Sequence, residues 1–365
     1  MMLSADECAR RVNETKRRLK TWWAREETDR PLFMMFSTRN LPAPNDYFSN
    51  VEESWLNIDK RLAYEELRME CTTLFGEQYP GVSASLGPGS LALLIGSPPG
   101  FFWDTVWYGP CFDDIATANI KRPLDTPYWT WTLDYTRAAI KRAAGRYMVE
   151  LPDLIENFDT LASVCGMEEL MMSALDEPEA IHRLQRQTLD AWKEAFEAIY
   201  ALIKDEENGM SVGGFNLWAP GTVAKLQCDA SVMLSKGMFD DFVAPYLKEQ
   251  AAYLDYALYH LDGPNALQHF DTILGMKEIK AVQWQPGSAY PAAIDPAWFD
   301  VQKRILDSGK SLLIFVKPGD EETLPQRLEA FVREIGHRGV AFVIEQNLKD
   351  ERTAQTILEA APSWR

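Results

Sequence analysis

The most regular alternation of apolar and polar positions lies between Gln227 and Pro286. After Ser235, a residue type that caps helices, apolar side chains recur at intervals of three and four residues up to Leu254. This spacing predicts a helix that buries one face, with a kink at Pro245 because proline lacks an N–H group. Two short apolar runs follow, at 256–261 and 281–285, and each ends at a turn rich in Gly and Pro. Such alternation of helix and strand is typical of parallel α/β structure.

The same rhythm continues from Arg146 to the end of the sequence. The predicted strands are Tyr147–Leu151, Met210–Leu217, Tyr256–Leu261, Ala281–Gln285, Leu312–Val316 and Val340–Glu345. The predicted helices are Pro178–Ile203, Lys236–Tyr253, Ala297–Ser308, Pro325–Ile335 and Glu351–Ala360. A first strand begins at Leu32, and one more is expected in the less regular region that follows it. We therefore predict the α/β class and a (β/α)8 TIM-like barrel, built as a single domain over residues 1–365.

Residues 40–145 do not follow this rhythm. They contain a helix-like run at 51–74, a tract rich in Gly and Pro at 81–100, and two aromatic clusters. We interpret the region as an irregular insertion that partly covers the barrel mouth, because a cover keeps water from a reactive site. The tryptophans concerned are Trp103, Trp107, Trp129 and Trp131. These rings either pack the insertion against the barrel or face the pocket and stack on a ligand.

Composition and charge restrict the kinds of function. The chain has 365 residues, of which 46% are hydrophobic, and a formal net charge of −17 at pH 7. This acidic balance argues against nucleic acid as a partner, because phosphate binding requires a basic face. The sequence lacks an apolar run long enough for a membrane span and the apolar stretch of a secretory signal. Its five cysteines are scattered without CxxC spacing, which indicates reduced thiols and a cytoplasmic protein.

Candidate catalytic residues lie where the predicted strands end, since that edge carries the chemistry in parallel α/β barrels. His260 comes near the end of one strand, and Asp262 follows two residues later. A neutral imidazole and a carboxylate at this spacing form part of a divalent metal site, or the carboxylate only orients the imidazole towards substrate. Asp229 lies in the loop before the kinked helix. It either positions substrate and takes a proton, or is simply an acid at a helix N-terminus.

Further residues are predicted to contact substrate. Asp153 follows a strand, and Lys317 ends another, where it acts as a cationic catalyst or pairs with the glutamate that closes the last strand. Trp284 alternates with Gln283, so one of the two points into the barrel and the other towards the helices. Trp107 is the candidate from the insertion. The sequence has no GxGxxG, Walker or HExxH motif, which removes support for dinucleotide and nucleotide chemistry.

Several short motifs occur in a particular order along the chain. They are Asp29-Arg30-Pro31, Leu151-Pro152-Asp153-Leu154, Asp176-Glu177-Pro178-Glu179, Asp229, Leu234-Ser235, Phe239, Pro245-Tyr246 and His260-Leu261-Asp262-Gly263. In this order they resemble the uroporphyrinogen decarboxylase-like superfamily, which also holds the corrinoid-dependent methyltransferases. The resemblance implies a barrel whose strand end at His260 serves as a zinc site.

The chain departs from the superfamily at one position that matters for metal binding. The methyltransferases have Cys where this chain has Asp262, and they take a further Cys ligand near the last barrel strands. The nearest equivalents here are Glu345 and Gln346, so the resemblance implies a metal set of His260, Asp262 and Glu345. Carboxylate in place of thiolate makes the site harder, which weakens the preference for zinc.

The resemblance favours an enzyme that moves a methyl group between a small methylated substrate and a corrinoid, the corrinoid being supplied by a partner protein. The alternative is decarboxylation of the uroporphyrinogen type. Those enzymes carry an Arg-Gln-Ala-Gly-Arg segment that holds the substrate carboxylates, whereas this chain offers Arg39 alone at the corresponding place. Aromatic clusters beside acidic residues leave a carbohydrate-active barrel as a third alternative. From the acidic charge and the tryptophans we expect a neutral or cationic methylated substrate rather than a polycarboxylate.

Overall fold

The fold is built from thirteen strands and fifteen α-helices in the part of the chain that the computed structural model describes, residues 2–122 and 124–364. The strands are β1 (Leu32–Thr38), β2 (Thr72–Gly76), β3 (Gly81–Ser83), β4 (Pro99–Phe101), β5 (Val106–Tyr108), β6 (Met148–Glu150), β7 (Met210–Val212), β8 (Leu217–Ala219), β9 (Val223–Gln227), β10 (Tyr256–Asp262), β11 (Ile279–Gln285), β12 (Ser311–Val316) and β13 (Val340–Ile344).

Helices connect these strands and cover the sheet. They are α1 (Ala5–Ala24), α2 (Pro44–Tyr47), α3 (Val51–Leu56), α4 (Ile58–Glu70), α5 (Leu91–Leu94), α6 (Pro127–Ala143), α7 (Phe158–Cys165), α8 (Met167–Asp176), α9 (Pro178–Ile203), α10 (Lys236–Met238), α11 (Ala244–Ala252), α12 (Phe270–Gly275), α13 (Phe299–Asp307), α14 (Leu324–Ile335) and α15 (Glu351–Ala360). Short 3₁₀ turns lie at Asp229–Met233, Pro264–His269, Pro296–Trp298 and Ala361–Ser363.

A seven-stranded sheet forms the centre, in the order β2-β1-β13-β12-β11-β10-β9. All neighbours in it pair in parallel except β2, which runs antiparallel to β1. Strands such as β12 and β13 are almost continuously apolar and buried, as expected for parallel strands covered on both faces. The carboxyl ends of β9, β10 and β11 consequently lie side by side. The structure is thus a mixed α/β fold with a parallel central sheet.

The remaining strands extend this arrangement in short pieces. β3 pairs in parallel with β6, and Leu151, just beyond β6, forms a parallel bridge to Val212 of β7. β7 turns back as a hairpin with β8 and lies beside β9. A cavity of about 460 Å³ lies between β2 and β3 and is lined by Thr72, Gly81 and Glu150 among others. This side of the molecule is therefore the less regular one.

Several predicted elements match the observed ones closely. Helix α9 spans Pro178–Ile203 as predicted, and α15 spans Glu351–Ala360 as predicted. The kink expected at Pro245 is a π-helical turn at Phe239–Val243, directly before α11. Such π turns are one of the recognised causes of helix kinks.

One predicted strand was wrong, and one predicted helical run was confirmed only in part. The predicted strand Met210–Leu217 is the β7–β8 hairpin, because Gly213, Gly214 and Asn216 provide a turn, with positive φ at Gly214 and Asn216. The helix-like run at 51–74 consists of α3, α4 and the beginning of β2. Asn57 ends α3 and caps α4, its side chain accepting from the N–H of Lys60.

The cysteines and the long helices bear on the remaining expectations. All five cysteines are free thiols, as their scattered spacing predicts. Among the helices of the described residues, none combines the length and the apolar character that crossing a membrane requires. The cytoplasmic location and the division into one domain remain predictions.

A candidate metal and substrate site at the carboxyl ends of the parallel strands

Three side chains that the sequence singled out meet at the carboxyl edge of the sheet. Asp229, His260 and Asp262 each place one ligand atom so that all three atoms lie within 4.8 Å of one another. The pairing explains this proximity, because β10 runs parallel to β9 and places His260 opposite Gln227, two residues before Asp229. Asp262 ends β10, with Gln285 of β11 as its neighbour. This cluster of two carboxylates and one imidazole is called the acid–histidine cluster below.

The imidazole of His260 is held by a glutamine on the adjacent strand. Nδ1 of His260 hydrogen-bonds to Oε1 of Gln283, its register partner on β11. The amide of Gln283 is itself oriented, since its Nε2 donates to the carbonyl oxygen of Trp284 at 3.3 Å. An acceptor at Nδ1 selects the tautomer in which Nε2 carries the free lone pair. Burial, reinforced by the nearby Lys225 ammonium, lowers the pKa of His260 to about 4, so the ring is neutral at pH 7.

The second cluster member, Asp229, lies beside another acid. The Asp159 carboxylate accepts the backbone N–H groups of Asp229 and Ala230, each at 2.8 Å. Gln227 Nε2 donates to Asp229 Oδ2 at 2.8 Å and fixes the orientation of that carboxyl. Asp229 is exposed as a residue, but the surrounding groups remove most water from its carboxyl. This desolvation and the negative charge of Asp159 raise the pKa of Asp229 to about 7. Burial also raises the pKa of Asp159, and the backbone N–H bonds that it accepts oppose this rise.

A buried lysine connects the cluster to the next strand end. Lys225 Nζ lies 2.8 Å from Asp153 Oδ1 and also donates to Oε1 of Gln227. Because Lys225 occupies the acceptor of that amide, the NH2 group of Gln227 points towards Asp229. Three hydrogen bonds thus connect Asp153 with Asp229. Asp153 compensates the positive charge of Lys225. This lysine therefore does not neutralise the other carboxylates of the site.

The backbone at Asn157 is strained beside this network. Asn157 is fully buried and adopts φ 63° and ψ −142°, a region that residues other than glycine rarely occupy. Its Nδ2 donates to the carbonyl oxygen of Gln227 at 2.7 Å. This bond ties the start of α7, which carries Asp159, to the end of β9. Strain of this kind persists only where surrounding contacts impose it, and it concentrates at functional sites.

Two cavities open at this edge of the sheet and both are lined by Pro88. The acidic cavity, of about 460 Å³, is lined by Asp159, Gln227, Asp229, Trp107, Tyr108 and Met233 among others. The arginine cavity, of about 390 Å³, is lined by Arg61, Arg68, Glu150, Asp153, Ser85 and Phe215 among others. Residues of the 40–145 region contribute walls to both cavities. The Lys225–Gln227 chain joins a residue of one cavity, Asp153, to a residue of the other, Asp229.

Glu345, which the predicted metal set included, is not part of the acid–histidine cluster. The third member is Asp229 instead. The N–H of Glu345 donates to Val316, and burial raises the pKa of its carboxyl while the Lys317 charge opposes this rise. Lys317 therefore acts on Glu345, which was one of its two predicted roles.

Arg39 and the two tryptophans also have clear positions. Arg39 is exposed and lies 3.4 Å from Glu351. The ring of Trp284 is fully buried against Trp298, on the opposite face of β11 from Gln283. Its predicted contact with substrate is thus replaced by packing under the helices. Trp107 lines the acidic cavity and is 69% exposed, so it is available to a ligand at the rim.

Sequence reasoning missed several residues of the site. Lys225 and Gln227 lie two positions apart on β9, a strand that was not predicted. Their alternation with Leu226 was the available signal, since residues at i and i+2 share one face of a strand. Asp159 and Arg61 carried no comparable signal, because their roles depend on contacts between distant segments.

Comparison with known proteins bears on the fold. No model of a known protein family matches the sequence, and no curated protein matches it significantly. Among solved structures, the chain is similar to a methyltransferase from Methanosarcina mazei, with a TM-score of 0.64 and 11% sequence identity. The similarity covers 96% of this chain and 98% of that one. At this identity the comparison shows a shared fold over nearly the whole length.

Proposed function

We propose that the protein is a methyltransferase that moves a methyl group between a small methylated substrate and a corrinoid carried by a partner protein. The observation that carries the proposal is the acid–histidine cluster at the carboxyl edge of the parallel sheet. The fold shared with a methyltransferase supports it. On this view the short strands β3, β6 and β7 complete the central sheet as a (β/α)8 barrel of the superfamily suggested by the sequence motifs.

The donor set of the cluster fits a divalent metal ion. His260 is neutral at pH 7, presents Nε2 as its free nitrogen, and has a hydrogen-bonded second nitrogen, as metal-binding histidines do. Asp229 and Asp262 add carboxylate oxygens at suitable mutual distance. One nitrogen and two oxygens suit zinc, manganese or iron, and suit zinc less than a set with thiolates would. When bound, the metal supplies a Lewis acid that polarises the heteroatom attached to the methyl group.

The protein's own residues would orient the transferred group and restrict water. In the transfer, the bond between the methyl carbon and the substrate heteroatom breaks, and its electron pair stays on the heteroatom. The acceptor contributes the electron pair of the new bond to carbon. Gln227 and Gln283 hold Asp229 and His260 in fixed orientations, so the leaving heteroatom meets a preorganised site. Met233 and Trp107 form an apolar rim that limits access of water.

The position of the rim also suits a partner that presents the corrinoid. A cavity of about 460 Å³ holds a small organic molecule, whereas a corrin macrocycle would contact the rim. Phe102, Trp103, Trp107 and Met233 are all exposed on the described surface, and Trp107 and Met233 line the acidic cavity. Exposed apolar groups of this kind are typical of interaction surfaces.

The two alternatives find less support in the geometry. The carboxylates of a glycoside hydrolase lie about 5–9.5 Å apart. The cluster atoms of Asp229 and Asp262 lie within 4.8 Å. A tetrapyrrole decarboxylase requires several cations for the substrate carboxylates. Arg39 is paired with Glu351, Lys225 with Asp153 and Arg68 with Glu65, which leaves Arg61 as the unpaired arginine among the described residues that line the arginine cavity. Methyl transfer therefore remains the better explanation of the site.

The test combines metal analysis with a corrinoid assay. The purified protein would be loaded with zinc, manganese or iron, its metal content measured, and its metal-loaded form mixed with reduced cobalamin and a panel of methoxy, methylthio and methylamino compounds. We expect about one metal per chain and a change in the corrinoid absorption spectrum that depends on one class of donor. Absence of both metal binding and donor-dependent methylation across the panel would refute the proposal.

A further inference from the structure

Trp131, one of the tryptophans from which a cationic substrate was expected, contacts one of the protein's own cations together with two further rings. The guanidinium carbon of Arg61, on α4, lies 5.2 Å from the ring centroid of Trp55, 5.5 Å from that of Trp131 and 5.3 Å from that of Tyr135. Cation–π attraction of this kind favours a fixed position of the guanidinium. These rings are therefore already occupied, and a methylated ammonium ion would need another place to bind.

Arg61 is unusual among the cations of the site because it has no carboxylate partner among the described residues. Glu65, one helical turn further along α4, bonds instead to Arg68 at 2.7 Å. The hydrogen bond found for Arg61 is the one from Nη1 to the carbonyl oxygen of Trp55, at 3.1 Å. Arg61 is only 9% exposed and lines the arginine cavity. A buried guanidinium with donors left over is costly unless an anion or water accepts from them.

The other charged walls of the arginine cavity are largely compensated. Lys225 neutralises Asp153, and Arg68 neutralises Glu65. Glu150 accepts from Ser211 at 2.7 Å, and burial raises the pKa of its carboxyl to about 7. Asp104 also lines the cavity but is exposed to solvent, so among the described lining residues the buried charge without a partner is that of Arg61. An anion is the complementary ligand for this guanidinium.

We propose that Arg61 binds a carboxylate of the methylated substrate, and that this group enters the arginine cavity while the methyl end lies at the acid–histidine cluster. The planar guanidinium fork matches a carboxylate with two parallel hydrogen bonds. The chain of hydrogen bonds from Asp153 through Lys225 and Gln227 to Asp229 joins the two ends of such a substrate. The inference rests on the proposed function for the role of the methyl end. It replaces the expectation of a neutral or cationic substrate.

The test measures preference for a carboxylate without requiring turnover. The probes are three pairs that differ only in the anionic group: methoxyacetate and methoxyacetamide, methylthioacetate and methylthioacetamide, and 3-methoxybenzoate and 3-methoxybenzamide. Binding is measured by titration calorimetry on chelator-treated protein, so that carboxylate–metal contact does not contribute, and repeated after metal loading. For the wild type we expect at least one pair in which the acid binds about 10-fold or more tightly than the amide.

Variants at Arg61 assign this preference. Arg61→Met should reduce the acid-to-amide ratio to within about 3-fold while leaving amide binding unchanged, because the apolar stem still packs between the rings. Arg61→Lys keeps the charge but loses the planar guanidinium, so the acid-to-amide ratio should fall by an intermediate amount. If Arg61→Met does not fold, the ratio measured for Arg61→Lys is the test. Arg137→Met, which removes an exposed arginine on α6, is the matched control and should leave the ratio unchanged.

The outcomes separate this inference from the proposed function. His260→Ala should abolish methyl transfer but keep the preference for the carboxylate. If the wild type shows no preference in any pair, or if a folded Arg61 variant keeps it fully, the carboxylate site is wrong whatever the methyl-transfer assay gives. If the preference depends on Arg61 but methylation never occurs, the site stands and the proposed reaction fails.

Discussion

His260 and Gln283 face each other across β10 and β11, with Nδ1 of the histidine bonded to the amide oxygen of the glutamine. This contact fixes both the tautomer and the direction of the ring. Partners of this type on metal-binding histidines typically contribute 10–100-fold in metal affinity. Gln283 is therefore expected to support metal binding by the acid–histidine cluster, although it is not one of the three cluster residues.

We expect Gln283→Leu to weaken binding of zinc or manganese by about 10–100-fold, because the imidazole loses its acceptor and can rotate or change tautomer. The measurement is a metal competition titration against a chromophoric chelator. Gln302→Leu is the matched control, since Gln302 is another fully buried glutamine, is bonded to Ala293 and has no bond to a cluster member among the hydrogen bonds of the described residues. Equal metal affinities for the two variants would contradict the role of Gln283.

Removal of the imidazole itself should separate function from folding. We expect His260→Ala to lose metal and activity while the midpoint of thermal unfolding of the metal-free protein changes by only a few degrees, because its ring is only partly buried and bonds to the polar side chain of Gln283. His337→Ala, at a histidine bonded to Glu27, serves as control. A large loss of stability of the metal-free His260→Ala protein would indicate a structural role instead.

The carboxylate at position 262 should determine which metal is preferred. Asp262→Cys replaces a hard oxygen ligand by a soft thiolate, so the preference for zinc over manganese should rise by about 10-fold or more. Competition of the two metals at pH 7.5 gives this ratio directly. Asp241→Cys, at an exposed aspartate on the π-helical turn, controls for binding to any surface thiol. An unchanged ratio in Asp262→Cys would remove Asp262 from the ligand set.

A buried glutamate near the site should make stability depend on pH. Glu156 is 2% exposed, and burial raises the pKa of its carboxyl from 4.5 to about 8. With its amide nitrogen turned towards this carboxyl, Gln250 donates to Oε2 at 3.2 Å and accepts from Trp192 at 3.2 Å. The folded chain therefore keeps Glu156 protonated up to about pH 8, whereas the unfolded chain ionises it near 4.5.

Because the folded-state pKa is raised, the contribution of this group to stability is fully present below pH 4.5 and is lost as the pH rises to about 8. Glu156→Gln removes the effect, so its stability relative to the wild type should rise between pH 5 and pH 9 by on the order of 4 kcal/mol. Urea unfolding at both pH values measures this. Glu179→Gln, at an exposed residue of α9, should show no such change. A flat difference between wild type and Glu156→Gln would contradict the assignment.

The parts of the molecule that the sequence predicted well are those with local causes. Helix α9 follows from continuous 3.6-residue periodicity that starts at Pro178. Strands β10 and β11 follow from apolar runs bounded by turn residues, and these strands carry His260 to the edge where parallel folds place chemistry. The convergence of His260, Asp262 and Asp229 was expected on this basis, and the three side chains do meet.

The remaining features depend on contacts that local patterns do not contain. The strand β9 follows the β7–β8 hairpin directly, so it lacks the helical spacer that marked the other strands. Arg61 looks like an ordinary charged helix residue, because α4 packs only in three dimensions against the rings of α3 and α6. Asp159 acts through bonds to the backbone of Asp229 and Ala230, seventy positions or more along the chain.

The position of Arg61 between three rings has a consequence for chemical rescue. Because the guanidinium is covalently attached to the chain, its effective concentration between the rings is high. A free guanidinium ion would have to be added at millimolar concentration to match it. Arg61→Ala would leave an aromatic-walled vacancy that matches a free guanidinium ion in shape and charge. Added guanidinium salt should then restore carboxylate binding to Arg61→Ala at concentrations well below those that unfold proteins, whereas sodium at the same ionic strength should not.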